Sequence, residues 1–287
     1  MEESIVYAQP VDFAEALRLL AEPDTRILAG GTDIFPAAGE SPLDGRFVDV
    51  TALAGLRELK VDSGWVRIGA AVTWSDLVSA DLPSAFAALK TAAREIGGLQ
   101  IQNRGTLAGN LCNASPAADG VPPLLVLDAE VELVSMRGAR RLPLGAFIIG
   151  NRQTAIARDE IVTAVLVPQQ PPSARSSFLK LGSRRYLVIS IAMVAVLLDI
   201  SDGTIRQARI AVGACSAVAQ RLPGVERELV GAPARAGLGR RIDARHLSAL
   251  TPIDDLRGSA EYRRDAALTL VRRAIESCLD ADAGGIC

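Results

Sequence analysis

Aromatic residues make up only 4% of the 287-residue chain, histidine occurs once, and the four cysteines at 112, 215, 278 and 287 stand too far apart for a C-x-x-C pair. Each shortage removes a class of chemistry. One histidine and no paired cysteines leave neither the usual Cys/His zinc set nor a cysteine-held iron-sulfur cluster, so no metal site is expected. A Ser-His-Asp or Cys-His nucleophile would have to use His246, which lies in the polar run 243–246 and reads as a solvated loop or helix end. No catalytic acid, base or nucleophile is therefore assigned, and the four thiols read as free. Basic surplus is missing too: 31 Lys and Arg against 33 Asp and Glu give a net charge of −2, which argues against a nucleic-acid partner. The longest apolar stretch, residues 186–198, is interrupted by Ser190 and falls short of the roughly 20 residues of a bilayer span. It reads as a buried strand, and no membrane span is expected. Residues 1–10 open with Glu2 and Glu3 and show no basic flank before an apolar run, so the expected location is cytoplasmic.

What is present is an apolar fraction of 49%, enough to build packed cores in two domains or three small ones. Asp12 with Glu15 suggests a capping box ahead of a helix carrying Phe13, Ala16, Leu17 and Leu20. Residues 26–29, 47–50, 65–69, 130–135 and 160–167 read as strands, Thr73 and Asp76 as the cap of a short helix, and 83–96 as a helix stopped by Gly97-Gly98. A short apolar helix starts at Pro122-Pro123. Residues 168–172, with three prolines, form the best linker. Beyond it, residues 177–181, 188–200 and 204–214 predict a small antiparallel sheet with a hairpin turn at Asp202-Gly203. Residues 247–250 and 261–279 read as helical, with Tyr262, Ala266, Leu270, Ala274 and Cys278 along one stripe of the second, and 280–287 as a frayed tail.

Two glycine segments carry the chemistry. One is Ala29-Gly30-Gly31-Thr32-Asp33; the other runs from Gly97 through Arg104-Gly105-Thr106-Leu107-Ala108-Gly109-Asn110. Residues 99–116 fit neither the helix nor the strand period and read as a long polar loop. Glycine lets backbone N–H groups converge on an anion, and Thr or Asn adds side-chain donors, so each loop suits a diphosphate. Neither is a P-loop or a G-x-G-x-x-G fingerprint. Taken singly, each is weak evidence, and a lone Gly-Gly-Thr reads first as a tight turn. The stretch 111–119, including Ser115 and Asp119, is rich in small polar side chains suited to a ribityl chain or a ring edge, or to a loop pinned by its own turns.

Residues 27–33 (ILAGGTD), 98–110 (GLQIQNRGTLAGN), 113–119 (NASPAAD), 178–185 (FLKLGSRR) and 258–264 (GSAEYRR) closely resemble the FAD-binding subunit of the molybdenum hydroxylases, the xanthine dehydrogenase and aerobic carbon monoxide dehydrogenase family. The resemblance runs through nearly the whole chain in the expected order. It implies an α+β protein: a vanillyl-alcohol-oxidase-like FAD-binding domain of two α/β lobes over 1–172 (lobes about 1–55 and 56–172), then a C-terminal α+β domain over 173–287. By the same resemblance Leu28, Ala29, Gly30, Gly31, Thr32, Asp33 and Ile34, with Thr106, Ala108, Gly109 and Asn110, hold the diphosphate of FAD. Ser115 and Asp119 serve the ribityl region, Ile96 packs near the ring, and Lys180, Arg185 and Tyr186 approach the ring edge or oxidant site. Two departures stand out: Ala108 occupies a position where the family usually has glycine, and Gln102 one where arginine is frequent. The cluster-bearing insertion of the hydroxybenzoyl-CoA reductase branch is missing.

The implied function is an electron-transfer subunit of a heterotrimeric, xanthine dehydrogenase-like oxidoreductase. Its partners would be a molybdopterin-binding large subunit and a small subunit with two iron-sulfur clusters, and its FAD would pass electrons to NAD or another acceptor. The alternatives are the flavoprotein subunit of a carbon monoxide, aldehyde or N-heterocycle dehydrogenase, a stand-alone flavin reductase on the same fold, and an assembly subunit that has lost FAD.

Overall fold

The computed structural model describes residues 6–62 and 64–280. The first sheet is parallel, with Arg46–Asp49 at its centre between Val6–Ala8 and Thr25–Leu28. Parallel neighbours need crossovers. The helix Phe13–Leu20 supplies one, burying Ala16, Leu17 and Leu20 while Asp12 caps it by accepting from the Glu15 N–H at 2.9 Å. The edge strand Val6–Ala8 has no counterpart in the sequence reading. Three residues with Val6 and Tyr7 exposed leave no period to detect.

The second sheet is antiparallel, in the order Leu59–Val61, Trp65–Gly69, Ile161–Pro168, Glu130–Ser135, Gly138–Pro143. Its central strands are the ones the apolar alternation predicts. The edge strand Gly138–Pro143 was not foreseen, because none of its side chains is buried and the pairing comes from hairpin register alone. Between these strands Thr73 forms a complete capping box with Asp76: its hydroxyl accepts from the Asp76 N–H at 3.1 Å and the carboxylate accepts from the Thr73 N–H at 3.0 Å. Residues 99–116 are not the open loop expected. They contain the helices Leu99–Gln102 and Leu107–Asn113, of four and seven residues, too short to display an apolar period.

The third sheet pairs Ala174–Leu181, Ala192–Ser201, Thr204–Gly213 and Gln220–Arg221, all antiparallel, with Asp202 and Gly203 both at positive φ in the predicted turn. The strand Ala192–Ser201 explains the longest apolar run, since it is covered on both faces. Met193, Ala195 and Leu197 join the core of the first two sheets, while Ala192, Val194, Val196 and Leu198 face a second core under the helix Ala260–Leu279. The run reads as one strand from 186, yet Tyr186, Leu187 and Ile189 are more than half exposed and pairing starts only at Ala192, with Leu187 at a φ of +51° interrupting the extended backbone. Along the last helix Ala266, Leu270, Ala274 and Cys278 are buried as predicted, whereas Tyr262 faces out. His246 is the third residue of a 3-10 turn, Ala244–Leu247, but its ring is only 10% exposed and its Nδ1 accepts from the Asp243 N–H at 3.1 Å, so it acts as a cap instead of a solvated side chain. The expected tail lies, apart from Asp280, outside the described residues. Among the described residues no helix is long and apolar enough to cross a membrane.

The Thr73 cap joins the second sheet to the cleft below, so its removal should be felt globally. Thr73→Ala is expected to lower unfolding free energy by about 1 kcal/mol in urea titrations followed by circular dichroism.

Candidate functional site

The strand Thr25–Leu28 runs straight into the first glycine loop. Gly31 sits at a φ of +72°, and a side chain there would strike the Phe35 ring. Gly30 is constrained from the other side: a Cβ at that position would lie 1.8 Å from the Arg104 carbonyl oxygen. The two glycine segments, about 75 residues apart in the chain, therefore lie backbone against backbone. The second loop is anchored by the Trp74 N–H donating to the Gly105 carbonyl at 3.2 Å and the Leu107 N–H donating to Val72 at 3.0 Å. Thr106 then caps its helix by accepting from the Gly109 N–H at 3.0 Å.

A cleft of about 630 Å³ opens between them. Ala29, Gly30, Gly31, Thr32, Asp33, Ile34, Ile96, Thr106, Ala108, Gly109 and Asn110 all line it, as the sequence reading placed them. Leu28 is buried just behind the wall. Among the described residues, the backbone N–H groups of Gly31, Thr32, Asp33, Ile34 and Ala108 donate no hydrogen bond within the chain. Of the three buried side-chain polar atoms left without a partner among the described residues, two, Thr25 Oγ1 and Asn110 Oδ1, also belong to lining residues. Buried polar groups are normally satisfied, so unpaired donors and acceptors gathered around one cleft mark a place built for a polar ligand.

The sequence reading missed the opposite wall. Ile156, Ala157, Arg158, Glu160, Ile161 and Val162 line the cleft from the strand Ile161–Pro168 and the turn before it, and the indole of Trp74 closes its floor. These positions carry no glycine, and their polar residues, Arg158 and Glu160, form no recognisable motif. Only their place at the end of a buried strand could have drawn attention to them.

Ser115, Asp119 and Lys180 do not line this cleft. Ser115 accepts from the Ala117 N–H at 3.3 Å in a local turn. Asp119 and Lys180 form a buried ion pair at 2.6 Å, with side chains 8% and 6% exposed. Asp119 also accepts from the Ser190 hydroxyl at 2.5 Å, and Lys180 reaches the Glu95 carbonyl, next to Ile96, at 3.4 Å. Burial pushes the Asp119 carboxyl above the ordinary range, against the opposing pull of the Lys180 ammonium and the Ser190 hydroxyl. Arg185 stacks on Tyr186 at 5.3 Å in an exposed loop.

Against known proteins, residues 2–170 match the model of the FAD-binding domain in molybdopterin dehydrogenases, and residues 177–278 that of the carbon monoxide dehydrogenase flavoprotein C-terminal domain. The chain is 34% identical to the nicotine 6-hydroxylase medium subunit of Paenarthrobacter nicotinovorans, over 95% of this chain and 96% of that one. It is 31% identical to a putative xanthine dehydrogenase FAD-binding subunit of Escherichia coli, over 97% of each. Its fold superposes on a chain of carbon monoxide dehydrogenase from Hydrogenophaga pseudoflava with a TM-score of 0.87 at 27% identity, covering 96% of both.

The Asp119–Lys180 pair sets up a test of stability. Lys180→Met leaves a buried carboxylate without its cation and is expected to cost about 3–5 kcal/mol at neutral pH. The folded-state carboxyl pKa is then raised further above its unfolded value, so the folded state binds the extra proton. Stability of the variant should recover as pH falls below that raised value toward the ordinary carboxylate range, and be lost as pH rises through the same window. Denaturant titrations at a series of pH values measure this, and a pH-independent deficit would contradict it.

Proposed function

The chain belongs to the family of FAD-binding subunits of molybdopterin dehydrogenases, and on that premise we propose that it relays electrons from iron-sulfur clusters of a small partner subunit to NAD or another acceptor, within a complex whose molybdopterin-binding large subunit oxidises the substrate. We propose a purine of the xanthine type as that substrate and the cytoplasm as the place of work. The names of relatives support a nitrogen heterocycle, since xanthine and nicotine both appear among them. Residues 1–172 would form the FAD-binding domain, in lobes of about 1–55 and 56–172, and 173–287 the closing domain.

The residues present fit FAD. The observation that carries the reading is the meeting of two glycine loops around unpaired donors and acceptors. A dinucleotide has two phosphates and two polar ends to satisfy in one cleft. The N–H groups of Gly31, Thr32, Asp33 and Ile34 from one loop and of Ala108 from the other would hold the diphosphate oxygens. Leu28, Ala29 and Gly109 hold the loops in shape, and Asn110 turns its free Oδ1 toward a hydroxyl donor. Gly30 contributes by having no side chain, which lets the lobes meet. When bound, FAD supplies the exchange between single-electron carriers and a two-electron acceptor. Ile96 excludes water beside the ring. Lys180 has three donors, of which Asp119 and the Glu95 carbonyl engage two, leaving one for the ring edge. Asp119 positions that ammonium, and Ser115 serves the ribityl side.

Mixed with its partner subunits, the chain should show rapid flavin bleaching with xanthine in a stopped-flow spectrometer and none when alone. Fast bleaching of the isolated chain by substrate would overturn the relay. Bleaching by nicotine or carbon monoxide in place of xanthine would keep the relay and discard the purine.

A further inference from the structure

Two carboxylates line a cleft whose proposed ligand carries two negative phosphates. Asp33 is one, and it accepts from the Asn113 side-chain amide at 2.6 Å. The other is Glu160, 4% exposed, on the wall that the glycine loops face. An ionised carboxylate there should repel the diphosphate. It is instead gripped by Arg140, which reaches over from the edge strand Gly138–Pro143: Nε donates to Oε1 at 2.6 Å and Nη2 to Oε2 at 2.7 Å. The Ala157 N–H donates to Oε2 at 2.7 Å, and Arg140 Nη2 also donates to the Ala155 carbonyl at 2.8 Å. One guanidinium thus holds both ends of the turn 155–160 that builds the wall, and the fork geometry keeps its charge on the carboxylate.

We propose that Arg140 and Glu160 are positioning residues of the cofactor cleft: Glu160 shapes the wall through the Ala157 N–H, and Arg140 cancels the negative charge this would otherwise turn toward the diphosphate. The inference rests on the reading that this cleft holds FAD. Arg140 itself does not line the cleft and is 43% exposed at its side chain, so its effect travels through Glu160. A bare carboxylate left by loss of Arg140 has only one compensating donor, and its field acts on any anion in the cleft. Glutamine at 160 keeps an oxygen for the Ala157 N–H and removes the charge. Charge cancellation therefore separates cleanly from bracing of the wall.

The test is the affinity of the full chain, stripped of flavin, for FAD, read by quenching of flavin fluorescence. Wild type is measured first, and failure to bind FAD there would count against the function proposed above, not against this pair. Arg140→Met is expected to weaken FAD binding about tenfold or more. Arg140→Met with Glu160→Gln should return to within about threefold of wild type, and Arg140→Lys should remain in that range. If Arg140→Met does not fold, Arg140→Gln with and without Glu160→Gln gives the same contrast. Unchanged binding in the single variant, or a double variant as weak as the single, would overturn the proposal; the latter would show that Arg140 only braces the turn.

Discussion

The approach of Gly30 to the backbone of Arg104 and Gly105 is the constraint on which the site depends. Any Cβ at residue 30 would penetrate the Arg104 carbonyl, so the parallel sheet and the antiparallel sheet meet at this distance only because the residue has none. Much else lies downstream of that contact. The Arg104–Gly105 backbone is held in place by the Trp74 N–H, and Trp74 is itself the first residue of a helix capped by Thr73 and fully enclosed in the core. The same indole blocks a side chain at Gly120, whose Cβ would sit 2.6 Å from it, and so sets how closely the chain after Asp119 can pack. A local conformational demand at two glycines is in this way converted into the spacing of a whole cleft.

The third sheet closes the structure from the far side, and it does so by polar contacts as well as by burial. Ala214 donates its N–H to the Pro116 carbonyl at 2.9 Å, Ser190 bonds Asp119, and Ser176 accepts from the Ala88 N–H at 2.8 Å. Arg263, 3% exposed, reaches from the last helix to the Ile191 and Ala214 carbonyls at 2.6 and 3.1 Å and to Asp255 at 2.6 Å. It thus fixes Ala214, which grips Pro116, and the residue next to Ser190, which grips Asp119. Asp255, held between Arg257 and Arg263, has its carboxyl lowered to about 2, so this anchor stays ionised at any physiological pH. The two-faced strand Ala192–Ser201 supplies the hydrophobic part of the same closure. It explains why one stretch of sequence is so apolar: both of its faces are interior.

These relations divide into those a sequence displays and those it hides. The loop 29–34 and the segment 106–110 were legible because glycine next to Thr, Asp and Asn is an unusual composition with a short list of physical uses. The central strands were legible because half-buried and fully buried strands leave apolar alternation or apolar runs. The wall 156–162 was not, because it works through backbone position and one carboxylate whose partner, Arg140, lies on an exposed strand with no apolar pattern. Nor was the pairing of Asp119 with Lys180, 61 residues apart, since nothing local in either neighbourhood names the other. The resemblance had assigned both residues to the cofactor, and the structure adds that they bind each other. Short helices such as Leu99–Gln102 escaped for a third reason: one turn is shorter than the period that would reveal it.

The same pairings bear on what kind of chemistry the chain can perform. A group that takes a proton from a substrate needs a free lone pair and a pKa near the working pH. The two carboxylates that line the cleft are otherwise engaged, Asp33 with Asn113, which in turn contacts Arg152, and Glu160 with Arg140 and the Ala157 N–H; so is Asp119, outside the lining, with Lys180 and Ser190. Arg140 and Lys180 cancel the charges of Glu160 and Asp119, while Asp33 is bonded to a neutral amide, and all three of these contacts tie segments that are distant in the chain. For Glu160 the Arg140 bonds hold the carboxyl below its usual range, which removes it from the pH window of a general base. The lone histidine is spent on capping the 3-10 turn Ala244–Leu247, with its ring largely buried. Side chains committed in this way serve to hold, orient and shield a bound group. In the function proposed above they would leave the reacting atoms to that group and to its partner subunits, a division of labour that suits a relay.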